Sequence, residues 1–508
     1  MPKANADLPP ALNRRDFVRL AAAAGAGAAL APGQLLRAAA PPAGTAAVPL
    51  IGVATGAEPL ARPDYGRLLD DVQARTGANA IFPFIYSHIA ERAGVSPPNF
   101  RGGNYAIPHM QYYRDTILTY EDMRGPEFGD KDLLALAIAA GKPRGVKTFA
   151  WIIEDNRRPA IPNWEKLYEV DFHGRRTDRH PSGPCNNNPY YRGYLLGLVE
   201  DYTRSYDIDG VMWGSERQGG LLNALGAYHN GAGADPGKAT CFCEFCQKKG
   251  RDAGIDVERA RKGFGELERY VRAGRAHQRP RDGYFTSFWR ILLNYPELLA
   301  WENLWVRSRH ELQAELYRRI KSIKPALPVG WHIWHNVSFC PFHRAEEDYA
   351  AMVPFSDFIR PVLYSNCAGE RMKSFVDSVH DNVLGDVPPD EMLEVLYRQL
   401  NYREAPYDRV FATGFSADYV ERETRRAVTG VAGSATQVWP GIDIDVPVPA
   451  GASHCTPESV KATVHAVFRG GGQGILLSRN FLEMKPENLT AAGAALREIG
   501  PNPVPHML

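Results

Sequence analysis

The chain has 508 residues, with 59 Lys plus Arg against 58 Asp plus Glu and a formal net charge of +1. This balance, with no basic or acidic block, excludes nucleic acid and other polyanions as partners on electrostatic grounds. The length admits two or three average domains or one enlarged α/β barrel, and no run of about 20 apolar residues offers a membrane span.

In chain order, Arg14 and Arg15 precede Asp16 and Phe17, an Ala/Gly-rich stretch covers 21–31, and three alanines stand at 38–40. Twin arginines, a weakly apolar run and a small-residue cleavage site resemble a twin-arginine export signal over 1–40, followed by a linker over 41–49. The resemblance implies a mature protein that is periplasmic or secreted, the twin-arginine export machinery as a partner, and passage in the folded state. A metal site would then fill before export.

From residue 50 onward, short apolar runs alternate with helical patterns. Strands are predicted at 50–54, 80–86, 148–153, 210–213, 329–334, 358–364, 436–442 and 474–477, with a further short strand or edge at 409–413. They are continuous rather than alternating, as expected of a parallel sheet covered on both faces. Helices are predicted at 65–75, 131–140, 190–205, 311–323, 372–379, 418–428, 456–468 and 488–499. In 190–205, Tyr194, Leu195, Leu198, Val199 and Tyr202 form one stripe. Eight strand–helix repeats over 50–508 predict a (β/α)8 barrel with a long excursion after strand 4. A doubly wound open sheet is the alternative, but 51–56 only weakly echoes its glycine-rich loop.

A barrel of this kind places its chemistry at the C-terminal strand ends. Those ends carry Tyr86, Ser87 and His88; Trp151, Glu154, Asp155 and Asn156; Trp213, Glu216 and Arg217; and Trp331, His332, Trp334, His335 and Asn336. The later ends carry Tyr364, Asn366 and Glu370; Trp439, Asp443 and Asp445; and Ser478, Arg479 and Asn480. Tryptophans among carboxylates, Asn, His and Arg suit an oligo- or polysaccharide, whose rings stack on flat aromatics and whose hydroxyls need directional hydrogen bonds. Glycosidic cleavage generally needs two carboxyl groups. Glu216 is the candidate acid/base, and Asp443, at the end of the strand across the barrel, is the preferred nucleophile or base. Asp445 and Glu154 are rivals and Glu370 a weaker one. Trp151, Glu154, Trp213, Arg217, Trp331, His332, Tyr364, Trp439 and Asp445 are expected to line the substrate site, with Arg217 orienting Glu216 or holding an acidic substituent.

Cys241, Cys243 and Cys246 fall within six residues, and Cys185 stands upstream. Four thiolates give the closed tetrahedral shell of a structural zinc; disulfides are the competing reading in an oxidising compartment. Cys340, Cys367 and Cys455 show no ligand spacing. The stretch 176–250, with Cys185, Asn186, Asn187, Asn188, Pro189, Tyr191 and Arg192 ahead of Glu216 and the cysteine triplet behind it, resembles the family 42 β-galactosidases and related secreted barrel glycosidases. The resemblance implies a zinc on Cys185, Cys241, Cys243 and Cys246, and Glu216 as general acid/base. The chain departs from the family at Ser215, where the family has Asn, and at strand 7, where it has Glu. It also lacks the family's trailing β-domains, so galactose specificity does not carry over.

The leading expectation is an exported glycoside hydrolase. Its alternatives are a non-catalytic saccharide-binding barrel and a metal-dependent barrel enzyme using His332 and His335. Those two histidines would point to opposite faces if both lay on one strand.

Overall fold

A computed structural model describes residues 48–87, 102–154, 161–177, 183–231 and 233–500. The export signal, most of the linker, His88, Asp155 and Asn156 lie outside the described residues. Eight staves form the sheet: β1 (Leu50–Thr55), β2 (Ala80–Ser87), β3 (Lys147–Ile153), β4 (Gly210–Gly214), β5 (Val329–Ile333), β6 (Phe358–Pro361), β7 (Gln437–Val438 and Gly441–Asp443) and β8 (Gly474–Ser478). All pair in parallel with their neighbours in chain order, and β1 pairs with β8. The seventh stave is interrupted at Trp439-Pro440, because proline cannot donate to a ladder. Its first half pairs with β6 and its second with β8, and a bridge from Val362 to Gly441 rejoins it to the β6 side. The ring therefore closes, and the open-sheet alternative is set aside.

Strand alternation sends one residue in two to the interior. Ala54, Phe82, Phe84, Phe149, Trp151, Met212, Phe358, Trp439 and Leu476 form that inner cluster. Glycines opposite make room for the large side chains. A Cβ on Gly214 would come within 2.7 Å of the His332 Cβ, and one on Gly441 would collide with the Arg360 guanidinium. The outward set packs against the helices: Trp213 and Trp331 meet Tyr194, Leu198, Leu312 and Leu316 in a separate cluster.

The surrounding helices are α1 (Tyr65–Thr76), α2 (Leu133–Gly141), α3 (Pro189–Ser205), α4 (Glu297–Ile323), α5 (Ala368–Asn382), α6 (Ala417–Gly430), α7 (Pro457–Arg469) and α8 (Pro486–Ile499). The predicted strand over 409–413 is instead part of a helix, Tyr407–Thr413, which starts after Pro406 and stops at Gly414 with φ 65°. Pro before the first turn and a glycine in the left-handed region after the last are helix punctuation that outweighs a β-branched residue within. Between β4 and α4 lie the helices Gly220–Leu225, Glu244–Asp252, Val257–Arg275 and Tyr284–Asn294. Thr240 and Phe242 of this region pair with Asp171 and Val170 of the segment after β3. None of the described helices is long and apolar enough to cross a membrane.

Candidate active site and cysteine cluster

At the end of β4 the chain sends Glu216 and Arg217 in opposite directions. The Glu216 side chain is 32% exposed, and its Oε1 lies 3.2 Å from His332 Nε2. His332 points inward from β5 over the Trp151 ring, 5.5 Å between centroids. Its Nδ1 lies 2.9 Å from Arg360 Nη1. A guanidinium has no lone pair, so Nδ1 must accept and the ring proton must sit on Nε2, where it is donated to the Glu216 carboxylate. Burial first, then the Arg360 charge, hold His332 below the usual imidazole range, and it stays neutral. Arg360 also donates to Tyr364 Oη at 2.9 Å and to Ser478 Oγ, and lies over the Trp151 ring.

A second chain of the same construction runs alongside. His335 lies beyond β5, in the short turn His335–Ser338. Arg371 Nη1, from the first turn of α5, donates to His335 Nδ1 at 2.8 Å; His335 Nε2 donates to Tyr419 Oη at 3.0 Å, and Tyr419 to Ser338 Oγ. Burial followed by the Arg371 charge pushes His335 far down. One nitrogen of each ring is thus capped by an arginine, and the other faces Glu216 in His332 and Tyr419 in His335. Among the described residues, neither histidine belongs to a group of three or more ligand side chains that could hold a metal.

Arg217 turns away from the mouth. Its side chain is 2% exposed, pairs with Glu154 at 2.6 Å and Glu169 at 3.5 Å, and donates to Pro184 O and Asn186 Oδ1. Tyr191 Oη donates to Glu154 at 2.7 Å. Burial works against the Arg217 charge, but Glu154 and Glu169 more than compensate and raise its pKa. Arg217 and Glu154 are therefore a buried ionic foundation rather than site lining. Trp213 and Trp331 likewise leave the predicted lining because alternation turns them toward the helices, and the Trp331 indole donates to Phe355 O. Trp439 stacks on Phe358 at 4.0 Å within the barrel. Its indole bonds to exposed Gln437 at the start of its own strand, the end away from the mouth.

The expected second carboxylate also changes. Asp443 is 1% exposed and accepts from Ser365 N, Ser365 Oγ, Asn366 N and Cys455 Sγ. Burial raises its pKa. It ties the end of β7 to the loop after β6, and its lone pairs are occupied. Asp445, at φ 107°, is held by His454, Cys455 N and Lys485. Of the four carboxyls weighed beside Glu216, Glu370 alone has no hydrogen bond or ion pair among the described residues. It is half-buried next to Arg371, and burial raises its pKa. Thus Glu216, His332, Trp151 and Tyr364 come together as expected, whereas Arg360, Arg371 and Tyr419 were missed. An arginine two residues after Phe358, on the same face of an apolar strand, was the available signal for Arg360.

The four cysteines converge. The Sγ atoms of Cys185, Cys241, Cys243 and Cys246 all lie within 4.8 Å of one another, and all are free thiols. Tetrahedral bonds of about 2.3 Å place sulfurs about 3.8 Å apart, and Cys185 lies 3.4 Å from Cys246 and 3.5 Å from Cys243. Asn187 aims its backbone N–H at Cys185 Sγ and its side-chain amide at Cys246 Sγ, both at 3.3 Å, as donors to thiolate sulfur do. The donor set fits a closed four-sulfur metal site.

No protein-family model and no curated protein sequence matches the chain. Among solved structures, the chain is similar to three β-galactosidases. The enzyme of the psychrophile Marinomonas ef1 has 11% identity and a TM-score of 0.50, covering 89% of this chain and 59% of its own. That of the Antarctic haloarchaeon Halorubrum lacusprofundi has 13% identity and a TM-score of 0.50, covering 88% and 58%. The cold-adapted enzyme of Rahnella sp. R3 has 12% identity and a TM-score of 0.50, covering 90% and 57%. The chain thus spans less than two thirds of these structures. At such identity the likeness is one of fold, a (β/α)8 barrel.

Proposed function

We propose that the protein is a glycoside hydrolase acting at the C-terminal mouth of the barrel. One observation carries the reading: Glu216, at the end of β4, reaches the open mouth while a neutral histidine, fixed by Arg360, donates to it. The barrel shared with the Marinomonas ef1 and Halorubrum lacusprofundi β-galactosidases supports it. A donated hydrogen bond favours the ionised form of a carboxyl, so Glu216 serves as the carboxylate that attacks or stabilises the anomeric carbon or activates water. This reverses the acid role expected from the sequence. Glu370, whose pKa burial raises, is the donor to the leaving oxygen, and it takes the place of Asp443 as the second carboxyl.

Varying the leaving group tests this division of roles. Glu370→Gln should spare activated dinitrophenyl glycosides, which need no proton, and slow unactivated ones by about 10²- to 10⁴-fold. Glu216→Gln should slow both. Equal turnover of unactivated glycosides by Glu370→Gln and wild type would remove Glu370 from the mechanism. Absence of turnover by wild type across neutral and acidic glycosides would favour a saccharide-binding barrel.

The proposal also includes a structural zinc on the four cysteines, away from the reacting atoms, and export by the twin-arginine route. Metal analysis of purified protein and cell fractionation of an Arg14→Lys, Arg15→Lys variant test these two parts.

A further inference from the structure

The guanidiniums at the mouth, buried Arg360 and half-buried Arg371, differ from those of buried Arg217 and Arg309. Arg217 and Arg309 have carboxylates at 2.6 and 2.5 Å. Arg360 is 1% exposed, donates among the described residues only to uncharged groups (His332, Tyr364 and Ser478), and has a buried Nε with no partner among them. Arg371 donates to neutral His335, and its remaining N–H groups bond to nothing among the described residues. No carboxylate oxygen of the described residues comes within ion-pair distance of either. Their imidazole partners are uncharged and cannot balance them. The N-terminus of α5, the helix that carries Arg371, has no side-chain cap and adds its own positive end. Arg371 feels the nearby Glu216 and Glu370 carboxyls but is hydrogen-bonded to neither, and burying Arg360 with no carboxylate partner is costly unless an anion completes the site.

Resting on the glycosidase reading, we propose that the saccharide carries an oxyanion substituent, a carboxylate or a sulfate ester, and that the half-buried Arg371 binds it while Arg360 supplies positive potential from below. A planar guanidinium with one edge committed to His335 and the other open suits a two-oxygen acceptor.

Calorimetry on the full-length Glu216→Gln protein tests this, with three tetrasaccharide probes at 50 and 500 mM NaCl: a glucuronate-containing one, a sulfated galactan one and a neutral galactan one. One acidic probe should bind at least about tenfold tighter than the neutral one and lose that margin in high salt. Which acidic probe wins separates carboxylate from sulfate. Adding Arg371→Met should abolish the preference, and Arg371→Lys should keep part of it with an unchanged thermal midpoint, which separates binding from folding. Neutral and acidic probes bound equally, or a preference that survives Arg371→Met, would overturn the inference. Wild-type hydrolysis of neutral glycosides with no acidic preference would leave the hydrolase reading standing without it. Acidic-probe binding with no hydrolysis of any glycan would do the reverse, and no binding of any probe would count against both.

Discussion

Glu216 and Arg217 are adjacent in the chain and open onto two regions built from the same residue types. Behind the mouth, one guanidinium meets two carboxylates, a carbonyl and an amide oxygen, and Tyr191 fills the remaining side of Glu154. At the mouth, two guanidiniums meet imidazoles and hydroxyls, and the carboxyls Glu216 and Glu370 are partly exposed. The charges of the first network are paired with one another, so its interactions are internal and its worth is in folding. The second keeps hydrogen-bonding capacity and charge in reserve, which is what a ligand can use. Polar residues in a barrel are therefore sorted by what they have left over rather than by their presence at a strand end.

The largest expected effect breaks the paired side. Arg217→Met strands Glu154 and Glu169 in the interior, and losing one partner of a buried ionic cluster costs about 3–5 kcal/mol. Urea unfolding should show that loss, whereas Glu216→Gln should stay within about 1 kcal/mol of wild type and lose turnover instead. If Arg217→Met unfolds at the wild-type midpoint, the two regions do not differ as described.

The cysteine cluster sharpens the same contrast, because Cys185 is flanked by Pro184 and Asn186, both of which hold Arg217. Cys185→Ser should release the bound metal, lower the thermal midpoint by several degrees, and reduce turnover equally for activated and unactivated glycosides. Mild chelation of wild type should leave activity intact, since four thiolates close the shell. A change in leaving-group dependence in Cys185→Ser would place the cluster in the chemistry instead.

The eight staves were legible because continuous apolar runs between helical stripes leave few other arrangements, and the cysteines because ligand spacing is local. Glu216 was legible from its place after Trp213. What could not be read was direction: one residue of register decides that Trp213 and Trp331 face helices while Met212 and His332 face inward. Nor does the sequence show occupancy. Asp443 stands where a catalytic nucleophile or base was expected, and only the donors Ser365, Asn366 and Cys455, 12 to 78 residues away, reveal that it is already used.

A subtler test addresses the arginine cap at the mouth. Without Arg360, His332 loses a charge that holds its pKa down, so in Arg360→Met the imidazole should take a proton at higher pH than in wild type. The acid limb of the kcat/KM profile should move up in pH, because a doubly protonated ring changes what Glu216 feels. An unmoved limb, with His332 followed by NMR, would mean that the cap does not set its charge.

The smallest effect comes from an acid behind the mouth that breaks the pattern, for its nearest partner is a second acid. Glu302 of α4 accepts from Leu221 N at 2.7 Å, while Glu302 Oε1 and Glu346 Oε2 are buried with no N–H donor. The two oxygens satisfy each other when the pair shares one proton. Burial pushes both carboxyls up, Glu302 to about 7. A folded-state pKa raised from 4.5 to about 7 means the native protein holds a proton that the unfolded chain releases. This contribution to stability is full below pH 4.5 and is lost as pH rises through about 7. The buried histidines act in the opposite sense, since their lowered values make the unfolded chain the better proton binder below about 6.5. They are common to wild type and variant and cancel in the difference. Glu302→Gln keeps an acceptor for Leu221 and gives Glu346 a permanent donor, so its advantage over wild type in urea unfolding should grow from pH 5 to pH 8 while turnover follows the wild-type profile. Parallel stability curves would show that the pair holds no shared proton, and a shifted rate profile would show that this part of the foundation reaches the mouth after all.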